Sequence, residues 1–169
     1  FEQAPELWLV PHSQEKACDP VFSAWEAAGL LNKDLRHRRM MLAIRDNQFS
    51  MANYLAKSTA NPEQNQLLVK QWQSIHDNPL PVLNGVAKDK TLSKDNALNR
   101  EIIIHGLQRL ARRSPEQAFN SWLNIKPRYQ FTQQDVIEVR KAIGKWAALN
   151  RDKKALTYFG DIPGGEWQA

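Results

Sequence analysis

Four histidines, one cysteine and a scatter of carboxylates are the side chains here that could take part in chemistry. His12, His37, His76 and His105 stand at no ligand spacing: the chain has no His-x-x-x-His, no His-Glu-x-x-His and no second cysteine to complete a zinc site. They read as surface or internally satisfied imidazoles, and no metal is expected. No Gly-x-Ser-x-Gly marks a nucleophilic serine. The 7 glycines form neither Gly-x-Gly-x-x-Gly nor Gly-x-x-x-x-Gly-Lys, so no nucleotide cofactor is expected. Glu26, Glu63, Glu101, Glu116 and Glu138 fall on polar faces. Glu101 borders the apolar Ile102-Ile103-Ile104 run, but with Arg100 and His105 near it reads as an exposed or ion-paired group rather than a general acid. No catalytic residue is assigned.

Positive charge is the remaining functional signal. Lys and Arg number 23 against 18 Asp and Glu, a net charge of +5 with an isoelectric point near 9.4. A basic excess suits an acidic partner: nucleic acid, anionic lipid or a carboxylate-bearing polymer. Arg36, Arg38, Arg39 and Arg45 crowd one segment; Arg140, Lys141, Lys145, Arg151, Lys153 and Lys154 crowd another. Each cluster is also what an ordinary solvated helix face looks like.

Helices must position these groups. With 169 residues, 42% hydrophobic and 24% charged, the chain suits one domain with a real core. No apolar run approaches the ~18 residues of a membrane span. Asp19-Pro20, Asn61-Pro62 and Ser114-Pro115 each put a capping side chain before a proline that suits a first helical turn. Helical spacing follows: Phe22 and Trp25 closing at Gly29; Leu68, Trp72 and Ile75 closing at Pro79; Ala118, Phe119, Trp122 and Ile125 closing at Pro127. Further helices run from Ala4 to Val10, from Asn32 or Asp34 to Arg45, around Phe49 to Ala56, from a Ser93 cap through Ile102 and Arg109, and over Lys153 to Phe159. Thr132 with Asp135 resembles a capping box, opening a helix with Val136, Val139, Ile143 and Trp146 inward. The nearest approach to a strand is Leu80-Pro81-Val82-Leu83, which Pro81 spoils.

Phe-x-x-Trp recurs at Phe22-Trp25 and Phe119-Trp122, with both rings on one helix face. Trp25, Trp72, Trp122 and Trp146 all fall on apolar faces, which favours core packing over sugar-stacking platforms. The Ile102 helix is apolar on two faces, as an inner helix of a stacked array is. Gly144, costing about 1 kcal/mol against Ala in a helix interior, marks a close approach of another element. The fold expected is all-α, an irregular helix-pair superhelix stacked in the tetratricopeptide or HEAT manner, without a tetratricopeptide consensus. It is read as one segment over residues 1–163 with a loose tail at 164–169.

Glu6-Leu7-Trp8-Leu9, then Ala17-Cys18-Asp19 and Phe22-Ser23-Ala24-Trp25 with Gly29, resembles the superhelical region of the soluble lytic murein transglycosylases of Gram-negative bacteria. Arg38-Arg39-Met40-Met41-Leu42-Ala43 and Lys145-Trp146-Ala147-Ala148 look like the same region continuing. The resemblance implies a periplasmic enzyme, made with a signal peptide. Its helical superhelix carries a C-terminal lysozyme-like domain that cleaves the MurNAc–GlcNAc bond through one glutamate, leaving a 1,6-anhydro end. The family's Glu-Ser, Gly-Leu-Met-Gln and Ala-Tyr-Asn-Ala-Gly signatures do not occur here. Catalysis therefore belongs to a domain outside this segment, and peptidoglycan strands and that domain are the expected partners. Cys18 fits a disulfide whose partner lies upstream of Phe1. Arg36, Arg38, Arg39, Arg140, Lys141 and Lys145 are then the candidates for guiding an acidic glycan strand. The start at Phe1, without Met or leader, reads as the cut end of a longer processed chain. Two other readings stand beside this one: a helical-repeat module for protein partners, and a nucleic-acid binder, suggested by charge but lacking a recognition-helix motif.

Overall fold

A computed structural model describes residues 2–160 and 162. Among these residues the protein is all-α, with ten α-helices and no strand. The tail at 164–169 lies outside the described residues. The chain groups into two compact units, Phe1–Gln73 and Ser74–Ala169.

The first unit contains α1 (Ala4–Trp8), α2 (Asp19–Ala27), α3 (Lys33–Arg45), α4 (Phe49–Ala56) and most of α5 (Pro62–Asp77). The tightest pairing is α3 on α4. Met40, Ala43 and Ile44 are fully buried, as are Ala52 and Ala56 from α4. Small alanines on one partner and longer chains on the other let two short helices approach closely. Trp8 packs edge-on against Phe22 and Trp25, at 5.1 and 6.2 Å between ring centroids.

Local punctuation explains several of the boundaries. Asn32 caps α3, its side chain accepting from the Leu35 N–H. After α2, Gly29 at φ 73° donates to the Glu26 carbonyl while Leu30 donates to Trp25. That is the paired bonding of a Schellman ending, which glycine accommodates without a β-carbon clash. The same pair of bonds recurs after α3 with Asn47 at φ 62°, and after α9 with Arg151 at φ 57°.

Two expected caps are corrected. Asp19 is not the N-cap of α2 but its first residue. The 3₁₀ turn Lys16–Cys18 runs straight into the helix, so the cap position falls on Cys18, in helical backbone and with no side-chain bond. The Asp19 carboxylate instead sits in the first turn, where the helix dipole favours an anion. Ser93 likewise does not cap the long helix. Asn96 does, accepting from the Asn99 N–H, because Asp89 folds residues 89–92 into a turn first, accepting from the Thr91 and Leu92 N–H groups.

The second unit contains the end of α5, then α6 (Pro79–Gly85), α7 (Ala97–Arg113), α8 (Pro115–Ile125), α9 (Gln133–Leu149) and α10 (Ala155–Phe159). Residues 80–83, the nearest thing to a strand in the sequence, are helical. Pro79 and Pro81 occupy the first turn, where the missing N–H groups cost no helical bond. α7 is the inner helix its two apolar faces predict: α6, α8 and α9 all pack on it. Ile102, Ile103 and Leu107 are fully buried. Thr132 and Asp135 form the capping box of α9. On the inward face of α9, Val139 and Ile143 are fully buried as expected, while Val136 and Trp146 at its two ends are only half-buried and their neighbours Ile137 and Ala147 are buried instead. The other three face-forming tryptophans, Trp25, Trp72 and Trp122, are at most 2% exposed, as core packing requires.

Candidate functional site

The six candidate cations divide by what their helices do with them. On α3, Arg38 projects into solvent and Arg36 is half-buried, its Nη2 donating to Glu26 Oε1. Arg39, one position on, turns into the core and is 4% exposed. Its Nη2 donates to the His12 carbonyl at 2.9 Å, its Nε donates to the Val10 carbonyl, and its guanidinium lies 4.1 Å from the centroid of the Trp8 ring. Burial pushes its pKa down. On α9, Lys145 is exposed and Lys141 half-buried, while Arg140 is 7% exposed. Arg140 donates to the Thr157 carbonyl of α10 and lies 5.0 Å from the centroid of the Phe119 ring. The helical turn is the cause. Neighbouring residues point about 100° apart, so a run of basic residues wraps around the axis instead of lining one face. Arg39 and Arg140 are internal struts in this structure. Arg36, Arg38, Lys141 and Lys145 are the members able to meet a ligand from solvent.

The structure also makes a pair that spacing could not reveal. His76, at the end of α5, and His105, on α7, place Nδ1 and Nε2 3.0 Å apart, with ring planes 18° from parallel and centroids 5.2 Å apart. One nitrogen must donate and the other accept, so the two rings cannot both be protonated while this contact holds. Burial, followed by His76 and Arg109, lowers the His105 pKa to about 4. His76 is lowered too, by burial first and then Arg109. Arg109 fixes the same corner by donating from Nε to the His76 carbonyl at 3.2 Å. The residues are 29 apart in sequence, which no local motif records.

Arg112, on the next turn of α7, lies 5.5 Å from the centroid of the half-buried Trp146 ring on α9. Cys18 is half-buried and has no disulfide within the described chain. Among the described residues, no three His, Cys, Asp or Glu side chains gather as metal ligands. No described helix is long and apolar enough to cross a membrane.

An all-α array of packed helix pairs is thus the class this chain defines. Comparison with known proteins finds relatives of one kind. The chain is 25% identical, over 152 residues, to the soluble lytic murein transglycosylase of Escherichia coli K12, a match covering 90% of this chain and 22% of that protein. The enzyme of Escherichia coli O157:H7 matches to the same extent. Among solved structures, the lytic transglycosylase Slt of Pseudomonas aeruginosa superposes with a TM-score of 0.68 at 26% identity, over 93% of this chain and 24% of that one. The 70-kDa soluble lytic transglycosylase of Escherichia coli shares the fold with a TM-score of 0.66, over 95% of this chain and 25% of that one. No protein-family model matches. The chain is therefore similar to a helical stretch of soluble lytic murein transglycosylases, spanning about a quarter or less of the length of these relatives.

Proposed function

We propose that this chain is a non-catalytic scaffold segment of a periplasmic lytic transglycosylase. It positions the enzyme and guides glycan strands toward a separate lysozyme-like domain that cleaves the MurNAc–GlcNAc bond and leaves a 1,6-anhydro end. The carrying observation is the similarity across 90% of this chain to 22% of a murein transglycosylase, in an all-helical structure. The absence from the sequence of the family's catalytic signatures supports leaving the chemistry to another domain. In this reading Cys18 pairs with a cysteine upstream.

Guidance falls to the solvent-accessible cations, Arg36 and Arg38 in the first unit and Lys141 and Lys145 in the second. An exposed ion pair contributes only about 0 to 1 kcal/mol, so many weak contacts must act together. The polymer would then be held loosely enough to slide. Purified sacculi test this directly. The chain should sediment with sacculi at low salt and be released at high salt. Equal retention at both, or none at low salt, refutes guidance by charge.

A further inference from the structure

A cavity of about 210 Å³ opens in the second unit between α6 with its following turn and α8 with its following turn. Leu83 and Ile125, 3% and 4% exposed, give it an apolar floor. Asn84, Asn124 and Arg128 stand at its exposed edge, and Ser121, itself 95% buried, also lines it. None of these four polar side chains has a hydrogen bond or ion pair among the described residues. Similar groups nearby are engaged internally: Asn99 donates to the Thr91 and Lys94 carbonyls, and Asn96 and Ser114 cap helices. Unengaged polar groups converging over an apolar floor are the makings of a ligand site.

We propose that this cavity binds the carboxylate end of a short acyl-amide ligand, an N-acylated amino acid or peptide C-terminus with a small alkyl side chain. Arg128 supplies the forked donor that matches a carboxylate. The two asparagines each offer a donor and an acceptor, the complement of an amide N–H and C=O, and Ser121 can serve either way. The floor takes a methyl group. At 210 Å³ the cavity is smaller than the roughly 300–1,000 Å³ of drug-sized sites, so it fits about one residue of ligand. No aromatic ring lines it, which disfavours a sugar ring stacked there. Taken with the proposed function, on which this last step alone rests, the cavity reads the peptide arms of a murein strand rather than its sugars.

The test is an ¹⁵N-resolved NMR titration of the whole chain with N-acetylalanine, repeated with N-acetylalaninamide. N-acetylalanine should shift the amides of residues lining the cavity and saturate. The amide should bind at least tenfold more weakly, and Arg128→Gln should weaken N-acetylalanine at least tenfold while leaving the rest of the spectrum unchanged. Shifts that are absent, lie elsewhere, match for acid and amide, or survive Arg128→Gln would overturn the proposal. Saturable binding here by a chain that ignores sacculi leaves the cavity standing and removes the murein reading. Sacculi retention without N-acetylalanine binding does the reverse.

Discussion

Gly106 and Gly144 each stand where a β-carbon does not fit, yet their substitutions should differ. A β-carbon on Gly106 would lie 2.4 Å from Ile75 Cδ1 and 2.5 Å from its Cγ1, and Ile75 is fully buried with nowhere to go. Overpacking costs about 1–3 kcal/mol, against about 1 kcal/mol of helix propensity gained. Gly106→Ala should therefore lower stability, by up to about 2 kcal/mol in urea unfolding. At Gly144 the obstacle is the Phe159 ring at 2.8 Å, half-buried on a five-residue helix that can yield. Gly144→Ala should change the same midpoint by less than about 0.5 kcal/mol. The close approach at Gly144 was legible because an interior glycine in a strong helix needs a reason; Gly106 has the stronger one, visible only once Ile75 is placed opposite. The histidine pair makes a pH prediction. Its folded pKa values lie below the ordinary 6.5, so the unfolded chain takes up protons first. The stability it contributes is complete above pH 6.5 and is lost as pH falls toward about 4. Discounted for the partial exposure of His105, the loss is about 1–2 kcal/mol. Thermal melts at pH 7 and pH 4.5 should show it, and a His105→Gln variant should show a smaller difference. An equal difference in both would assign the acid loss to other groups.

At the scale of elements, the short helix α1 shows how little a helix need do for itself. Five residues are far below the length at which a helix is stable alone in water. It is held by the Trp8 ring against Phe22 and Trp25, and by Arg39 tying the segment that follows. Arg39→Ala should cost about 2–3 kcal/mol, since it removes charge-assisted bonds to two carbonyls and leaves a hole beneath Trp8. Arg38→Ala, one residue away and in solvent, should stay within about 0.5 kcal/mol in the same denaturation experiment. Reversed effects would mean the two arginines have been assigned the wrong roles. Cap residues were legible where a side chain alone decides them, as at Ser114 and Thr132, and the structure chooses Asn32 from the pair Asn32 or Asp34. They were misread at Asp19 and Ser93, where a preceding turn had already committed the backbone. The left-handed residues Asn47 and Arg151 carry no reliable local mark, because the bonds that impose their conformation belong to the helices they end.

At the scale of the whole molecule, the net charge of +5 favours an acidic polymer but does not choose which cations meet it. Raising salt from about 0.1 M to about 1 M shortens the screening length from about 10 Å to about 3 Å. Retention on sacculi should fall over that range, and replacing Arg36, Arg38, Lys141 and Lys145 with Gln should reproduce the fall at low salt. An unchanged quadruple variant would show that other groups carry the contact. Composition, helical periodicity and proline-marked starts were enough to determine an all-α array with α7 inside it, because backbone geometry and burial of apolar stripes act locally along the chain. Which arginines became struts, which histidines met and which polar groups were left facing a cavity were decided only by tertiary packing. Each depends on residues tens of positions away, and whether a charged side chain lies in solvent or in the core is settled by what covers it.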